Sequence, residues 1–478
     1  MGLRTPEEYV ESLRRQSPEV YARGEIVTNV ADHPLFASTM ACWGSWVCRA
    51  AWDPEMRDTM VTSPDLNGEE CHVFWHMATS PDDLLQNLRA ARMLSERSPL
   101  SGYASIGRDE LQALLIVTQR VDRAHGTSYH QRVVDFVKRF QREQLMTAAA
   151  VTDVKGDRSK RPADQDDPDL YLRVVERRSD GIVVRGAKAH TSGSVVANEL
   201  VIIPQRAMRA ADADYAVAFA VPVDTPGLSL YVSAYGAREH DSFEFPISSK
   251  HKMLETLTVF DNVFVPWERV FLYREPALAG RVSSAFVEFH RYTAVSYKLP
   301  LLDALVGTAA LITEMNGVSK AGHIREKLTQ LVIYAETVRA LTEMAGIRAQ
   351  IGEHEIAYPD PLTTNMAKYT FATGYHAALE LVQDCAGGLL VTGPGGADWA
   401  NPEVRAVLEK FYAAKAPAEE RLRLLNTISD LTARDFGGYH AVLAVHAEGS
   451  IEAEKLQIYR AYEPGKAIAY ARRLAGLD

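Results

Sequence analysis

Cysteine is scarce in this chain. There are four in 478 residues, Cys42, Cys48, Cys71 and Cys385, and their spacing fits neither a zinc site nor a disulfide framework. They read as buried or free thiols of a reducing, cytoplasmic compartment. No GxxxxGK[ST] loop is present, no GxGxxG that follows a strand and opens a helix, and no HExxH. That removes the usual nucleotide-phosphate and zinc-hydrolase fingerprints. No run of about 18 apolar residues offers itself as a membrane span, and the N-terminal MGLRTPEEYVESLRRQ lacks the apolar core of a signal peptide. Basic residues are outnumbered. The 52 Lys and Arg against 62 Asp and Glu leave a net charge of −10, which excludes the electrostatic footprint of a nucleic-acid binder. Internal repeats and low-complexity tracts are missing too.

What is present is ordinary globular material, 47% hydrophobic and 24% charged. Residues 1–145 carry helical periods. Thr5 caps the first helix, with Pro6 in its first turn and Glu8 closing a capping box. Ser80 caps SPDDLLQNLRAARMLSER, and YHQRVVDFVKRFQREQL continues the pattern. Then the texture changes. YLRVVERRSDGIVVRG, NELVIIP, DYAVAFAVPV, LSLYVSA and LTVFDNVFVP are short, rich in Val, Ile, Tyr and Phe, and punctuated by Asp, Gly and Pro. This is strand and turn chemistry, for which a small barrel or sandwich is the natural form. Beyond it the helical period returns, with Ile324, Leu328, Leu331, Ala335, Val338 and Ala345 on one stripe. The expectation is an α+β protein: an N-terminal helical domain over 1–145, a middle β-barrel domain over 146–278 and a C-terminal helical bundle domain over 279–478.

Four segments carry candidate chemistry. VTDVKGDRS (151–159) offers Thr152, Lys155, Gly156, Asp157 and Arg158, a glycine turn with two cations suited to a phosphate or a flavin edge. GAKAHTSGS (186–194) crowds His190, Thr191, Ser192 and Ser194 into a small-residue turn whose hydroxyls suit a planar heterocycle. AGGLLVTGPGGADW (386–399) contains Gly387 and Gly388, which permit close backbone approach. EFHRYTAVSYKLP (288–300) supplies His290, Tyr297 and Lys298, with His290 and Tyr297 two helical turns apart. Glu255 stands alone at the start of a strand. Taken singly, each also reads as a turn, a cap or a structural hydrogen bond.

These stretches, with TPEEYVESLR, DPDLYLRVVERRSDGIVVRGAKAHTSGS and VFDNVFVPWERVFL, run nearly the whole chain. Together they resemble the 4-hydroxyphenylacetate 3-hydroxylase / 4-hydroxybutyryl-CoA dehydratase family of flavoproteins. The resemblance implies an acyl-CoA dehydrogenase-like fold, FAD between the β-domain and the bundle, and a homodimer or homotetramer. Its dehydratase branch holds a four-iron cluster on three cysteines and one histidine. Those positions align here with Ser101, Ser105, Tyr297 and His290, so three thiolates are missing and no iron–sulfur cluster is expected. Glu255 and Lys298 match dehydratase positions, while Ser192 replaces a threonine and Ala294 a catalytic tyrosine. The hydroxylase branch uses O2 and reduced FAD delivered by a separate flavin reductase, and its substrate arginine aligns with Arg108. The resemblance thus implies a two-component monooxygenase acting on a small organic substrate. Arg108, His290, Lys298, Tyr297 and Glu255 are the catalytic candidates. The alternative is a cluster-free acyl-CoA dehydratase or double-bond isomerase.

Overall fold

The computed structural model describes residues 3–352 and 355–477. Helix α1 (Pro6–Arg14) starts where the Thr5 hydroxyl accepts the Glu8 amide and the Glu8 carboxylate accepts the Thr5 amide. Two short strands follow that the sequence reading missed, β1 (Glu19–Ala22) and β2 (Glu25–Val27). Helix α2 (Pro81–Arg97) repeats the capping box with Ser80 and Asp83. Helices α3 (Ile106–His125) and α4 (Tyr129–Glu143) complete the N-terminal part. Every residue of α3 from Ile106 to Thr118 is buried.

The middle of the chain supplies β3 (Thr147–Ala150), β4 (Arg173–Arg177), β5 (Gly181–Ser192), β6 (Glu199–Ile202), β7 (Val217–Pro222), β8 (Leu228–Val232), β9 (Glu255–Pro266) and β10 (Val270–Tyr273). They form a six-stranded sheet, β2-β1-β8-β9-β5-β4, and a four-stranded sheet, β10-β7-β6-β3. The N-terminal hairpin joins the first sheet because β1 pairs in parallel with β8, Val20 opposite Leu230. Leu200, Ile202, Phe219 and Val221 of one sheet pack on Ile182, Val184, Phe260 and Val265 of the other. Their neighbours Val201, Ile203, Ala218 and Ala220 face the helices. Both faces of the small sheet are therefore covered, which explains why NELVIIP and VAFAV read as unbroken apolar runs.

The expected closed barrel is corrected to two sheets. Among the described residues they meet at one corner, where the chain beyond β3 bridges Asp153 to Lys188 of β5 and the Ala189 amide donates to the Thr152 carbonyl at 2.8 Å. The other edges of the two sheets are not joined among the described residues, and helices cover the outer face of the small sheet.

Helix α5 (Pro276–Met315) begins the bundle, followed by α6 (Gly322–Ile347), α7 (Pro361–Ala386), α8 (Ala418–Thr432), α9 (Asp435–His446) and α10 (Ile451–Ala461). On α6 the expected stripe is buried, except that Leu328 is partly exposed. One 18-residue window of α5 reaches a mean hydropathy of 1.4, enough to span a membrane by length and composition, contrary to the sequence reading. It lies at the centre of the bundle, against α3, α6 and α7, and 67% of it is buried. The last helix, α11 (Gly465–Leu474), leaves the body of the chain, and residues 462–477 are all exposed.

Candidate active site

The corner where the sheets meet opens into a cleft of about 1260 Å³. At the end of β5 the pairing with β9 passes from Thr191–Thr256 to Lys188–Thr258, so Ala189 and His190 together oppose Leu257. A bulge of this kind bends a strand and re-aims its side chains. His190 adopts a left-handed φ of 57° there, an uncommon conformation for a residue with a Cβ. The loop after β3 is clamped to the bulge, with Lys188 Nζ 2.6 Å from Asp153 Oδ1. Thr152, Lys155, Arg158, His190 and Ser192, drawn from two separate sequence segments, thereby line one wall. Burial, with Arg158 beside it, holds the Lys155 ammonium below the usual lysine range. Burial and Lys155 do the same to His190.

A π-helical turn, Ala41–Ser45, brings Trp43 to the cleft. The indole lies so close to Gly193, φ 69°, that a Cβ there would come within 2.7 Å of its ring. Trp43 Nε1 is buried and has no hydrogen-bond partner among the described residues. Glu255 opens β9 opposite Ser192. Its carboxylate accepts the Ser192 hydroxyl at 2.8 Å and a short bond from the Tyr439 hydroxyl. Tyr439 in turn stacks on Tyr235, rings 4.7 Å apart and 3° from parallel. Burial pushes the Glu255 carboxyl up to about 7, although both hydroxyls favour the charged form.

The helical wall carries His290 and Tyr297 from α5 and Glu448 from the turn after α9. His290 stacks on Phe286, its Nδ1 3.8 Å from Asp109 Oδ2. Glu448 accepts from Lys298 Nζ at 2.7 Å and from the Tyr297 hydroxyl at 3.3 Å, with Lys368 Nζ 3.6 Å away. Burial alone would raise the Glu448 carboxyl, but Lys298, Lys368 and His290 hold it down at about 2. Burial lowers Lys298 to about 8 against the pull of Glu448.

The remaining sequence candidates fall elsewhere. Arg108 is 2% exposed and does not face the cleft. Its guanidinium donates to Asn87 Oδ1 at 3.1 Å, to the Asp109 carboxylate at 3.3 Å, to the Val73 carbonyl at 3.4 Å and to the Thr293 hydroxyl of the bundle at 3.5 Å, so its donors are spent within the core. Lys298 sits behind the lining, bound to Glu448. Gly156 and Asp157 turn the loop between the two cations, and Asp157 accepts the Ser159 amide. Thr191 is buried at the alternate strand position, its hydroxyl accepting from Thr258 at 2.9 Å. Gly387 and Gly388 are exposed at the end of α7, away from this chain's cleft, where Gly387 takes φ 80° to end the helix. Ser101 and Ser105 lie on a 3-10 segment rather than an α-helix. Their hydroxyls donate to the Cys42 and Gly102 carbonyls at 2.6 and 2.8 Å. Sequence reasoning missed Trp43, Tyr235, Tyr439 and Glu448. Glu448 carries no sequence signal beyond a Glu-Gly pair after a helical stretch.

Three features of this cleft fit a flavin dinucleotide. Two crowded cations at Lys155 and Arg158 favour an anionic pyrophosphate. The Trp43 N–H lacks an acceptor, and hydroxyls at Thr152 and Ser192 border flat aromatic surface. Fold and cleft together define an enzyme that holds a cofactor between a sheet layer and a helical bundle. The chain belongs to the 4-hydroxyphenylacetate 3-hydroxylase family: the N-terminal profile matches residues 5–272 and the C-terminal profile residues 279–476. It is 34% identical to a 4-hydroxybutyryl-CoA dehydratase/vinylacetyl-CoA-Δ-isomerase of Clostridium aminobutyricum, over 99% of this chain and 100% of that one. Among solved structures, a 4-hydroxybutyryl-CoA dehydratase from N. maritimus, described as oxygen tolerant, superposes with a TM-score of 0.94 at 30% identity, covering 100% of this chain and 96% of that chain. The oxygenase component of 4-hydroxyphenylacetate 3-monooxygenase complexed with FAD gives 0.89 at 25% identity, covering 98% of each.

Proposed function

We propose that this protein is the oxygenase of a two-component, FAD-dependent monooxygenase that hydroxylates a small organic substrate with O2. Reduced FAD comes from a separate flavin reductase. When bound, reduced FAD supplies the electrons and the reactivity toward oxygen. The chain's own residues bind, orient and exclude water. With FAD bound, Lys155 and Arg158 would hold its pyrophosphate, Thr152, His190 and Ser192 would offer polar contacts to the flavin, and Trp43 would offer its N–H. Glu255, buried yet titrating near neutrality, holds or moves a proton at its carboxylate, and His290 faces the same space. We divide the chain at 1–145, 146–278 and 279–478, a reading supported by the cleft drawing Trp43, Thr152 and His290 from the three ranges. We read the assembly as a cytoplasmic homodimer or homotetramer. The exposed helix α11 and the surface glycines Gly387 and Gly388 support this, since they are available to a neighbouring copy.

One observation carries the choice of reaction. The positions at which the dehydratase branch would ligate iron offer Ser101 and Ser105 hydroxyls already bonded to backbone carbonyls, and a Tyr297 ring stacked on Tyr103. Mixing the protein with reduced FAD and then oxygen tests the reading. An oxygen-dependent absorbance transient before the oxidised spectrum is expected. A single phase identical to that of free FAD overturns it. The second reading, a cluster-free acyl-CoA dehydratase or isomerase, is favoured by Glu255 as a base beside the cleft and by the 34% identity. Anaerobic turnover with oxidised FAD and no reductant would put that reaction in its place.

A further inference from the structure

A second cavity of about 390 Å³ lies behind the cleft. Ile247, Pro300, Leu301, Ala304, Leu431 and Phe436 give it apolar walls, and Ser95, Lys298 and His440 give it a polar inner end. Tyr103 and Tyr297 line both spaces. Their rings stack at 4.2 Å, so one aromatic layer separates this cavity from the cleft.

The polar end has unused hydrogen-bonding capacity. Ser95 is 3% exposed, and its Oγ has no hydrogen-bond partner among the described residues. His440 Nδ1 donates to the Phe436 carbonyl at 3.0 Å, and burial keeps the ring neutral, which leaves Nε2 as an acceptor. The charge of Lys298 is engaged by Glu448. At the rim, Arg92 pairs with both Glu96 and Asp303, and Arg339 with Asp303. The rim therefore has little net charge with which to collect an ion. The volume suits a small molecule and is too small for the dinucleotide that the cleft accommodates.

We propose that this cavity is a binding site for a small uncharged molecule with an apolar body and one hydroxyl group. The hydroxyl exchanges hydrogen bonds with Ser95 and His440 while the body packs on Leu301, Ala304 and Phe436. The site is separate from the flavin cleft, and Tyr297 forms its inner wall.

The probe is 4-fluorobenzyl alcohol, followed by fluorine NMR on the full-length protein, first without FAD and then with the cleft saturated by it. Affinity should be the same in both arms. Ala304→Trp on α5 and Thr427→Trp on α8, both lining residues, should each weaken the probe at least tenfold while FAD affinity, measured separately by dialysis, stays unchanged. Ser95→Ala should weaken the alcohol severalfold and leave 4-fluorotoluene, which lacks the hydroxyl, unaffected. Displacement of the probe by FAD overturns the proposal, because the probe was then in the cleft. Unchanged affinity in both tryptophan variants overturns the site, and equal loss of alcohol and toluene in Ser95→Ala overturns the hydroxyl recognition.

Discussion

Replacing Tyr439 with Phe removes one hydroxyl and leaves the ring stacked on Tyr235. The carboxylate of Glu255 then keeps the Ser192 hydroxyl, at 2.8 Å, and loses its short bond from Tyr439. A hydrogen bond to a charged acceptor contributes about 1.5–3 kcal/mol, and 1.36 kcal/mol corresponds to about one pH unit. The Tyr439 bond favours the charged form, so its removal raises the Glu255 carboxyl, already pushed to about 7 by burial, by about one to two pH units. The assay is a pH-difference infrared titration of the protonated carboxyl band, assigned by its loss in Glu255→Gln. Glu288, which burial also pushes to about 7, lies on α5 and bonds to Asn365 at 2.8 Å. Its band should stay in place in Tyr439→Phe and serve as the internal reference. A Glu255 band that moves by less than about 0.3 pH units, or moves down, refutes the hydrogen-bond reasoning.

Lys155→Ala and Arg158→Ala should each weaken FAD binding about 10- to 100-fold in equilibrium dialysis, the expected loss of one charge-assisted contact. Glu448→Gln leaves Lys298 buried without its counter-charge and should cost about 3–5 kcal/mol in urea unfolding at pH 7. Adding Lys298→Met should recover most of that, and a purely additive double variant would show that the pair is not coupled. Truncation after Ala461 should yield a smaller assembly by light scattering with the cleft intact, and an unchanged mass removes the role given to α11. Anaerobically purified protein should contain far less than stoichiometric iron, whereas four irons per chain would show that other residues hold a cluster.

The helices and strands were legible where local physics decides them. The capping box of Thr5, the cap at Ser80, the stripe on α6 and the Val- and Ile-rich strands all follow from nearest neighbours in sequence. The hairpin β1–β2 did not show, because two strands of four and three residues carry too little alternation. They exist by pairing with β8, some 200 residues on. The choice between a barrel and a sandwich was not legible in the middle layer, since strand texture is the same in a barrel and in two stacked sheets. At the site, the loop 151–159 and the turn 186–194 were found because cations, glycine and hydroxyls cluster in sequence. Tyr439 and Glu448 come from the far end of the chain and reach the cleft through tertiary packing alone. Arg108, taken from the resemblance, bonds to Asn87 and the Val73 carbonyl instead of lining the cleft, and a guanidinium in an unremarkable helix start gives no hint of which side it will face.

The contact between Gly102 and Tyr297 bears on how such a site changes over generations. A Cβ at position 102 would lie 2.3 Å from the Cβ of Tyr297, so the ring is seated against a surface that only glycine leaves open. Placing thiols at 101 and 105 would not create a metal cavity while that ring occupies the space. Removing the ring first would open a hole beside Tyr103 at a cost of about 3–5 kcal/mol, with no metal yet bound to compensate. Each single change toward a thiol-lined pocket is unfavourable, so the tyrosine acts as a wedge that must leave before thiols at these positions could converge on one ion.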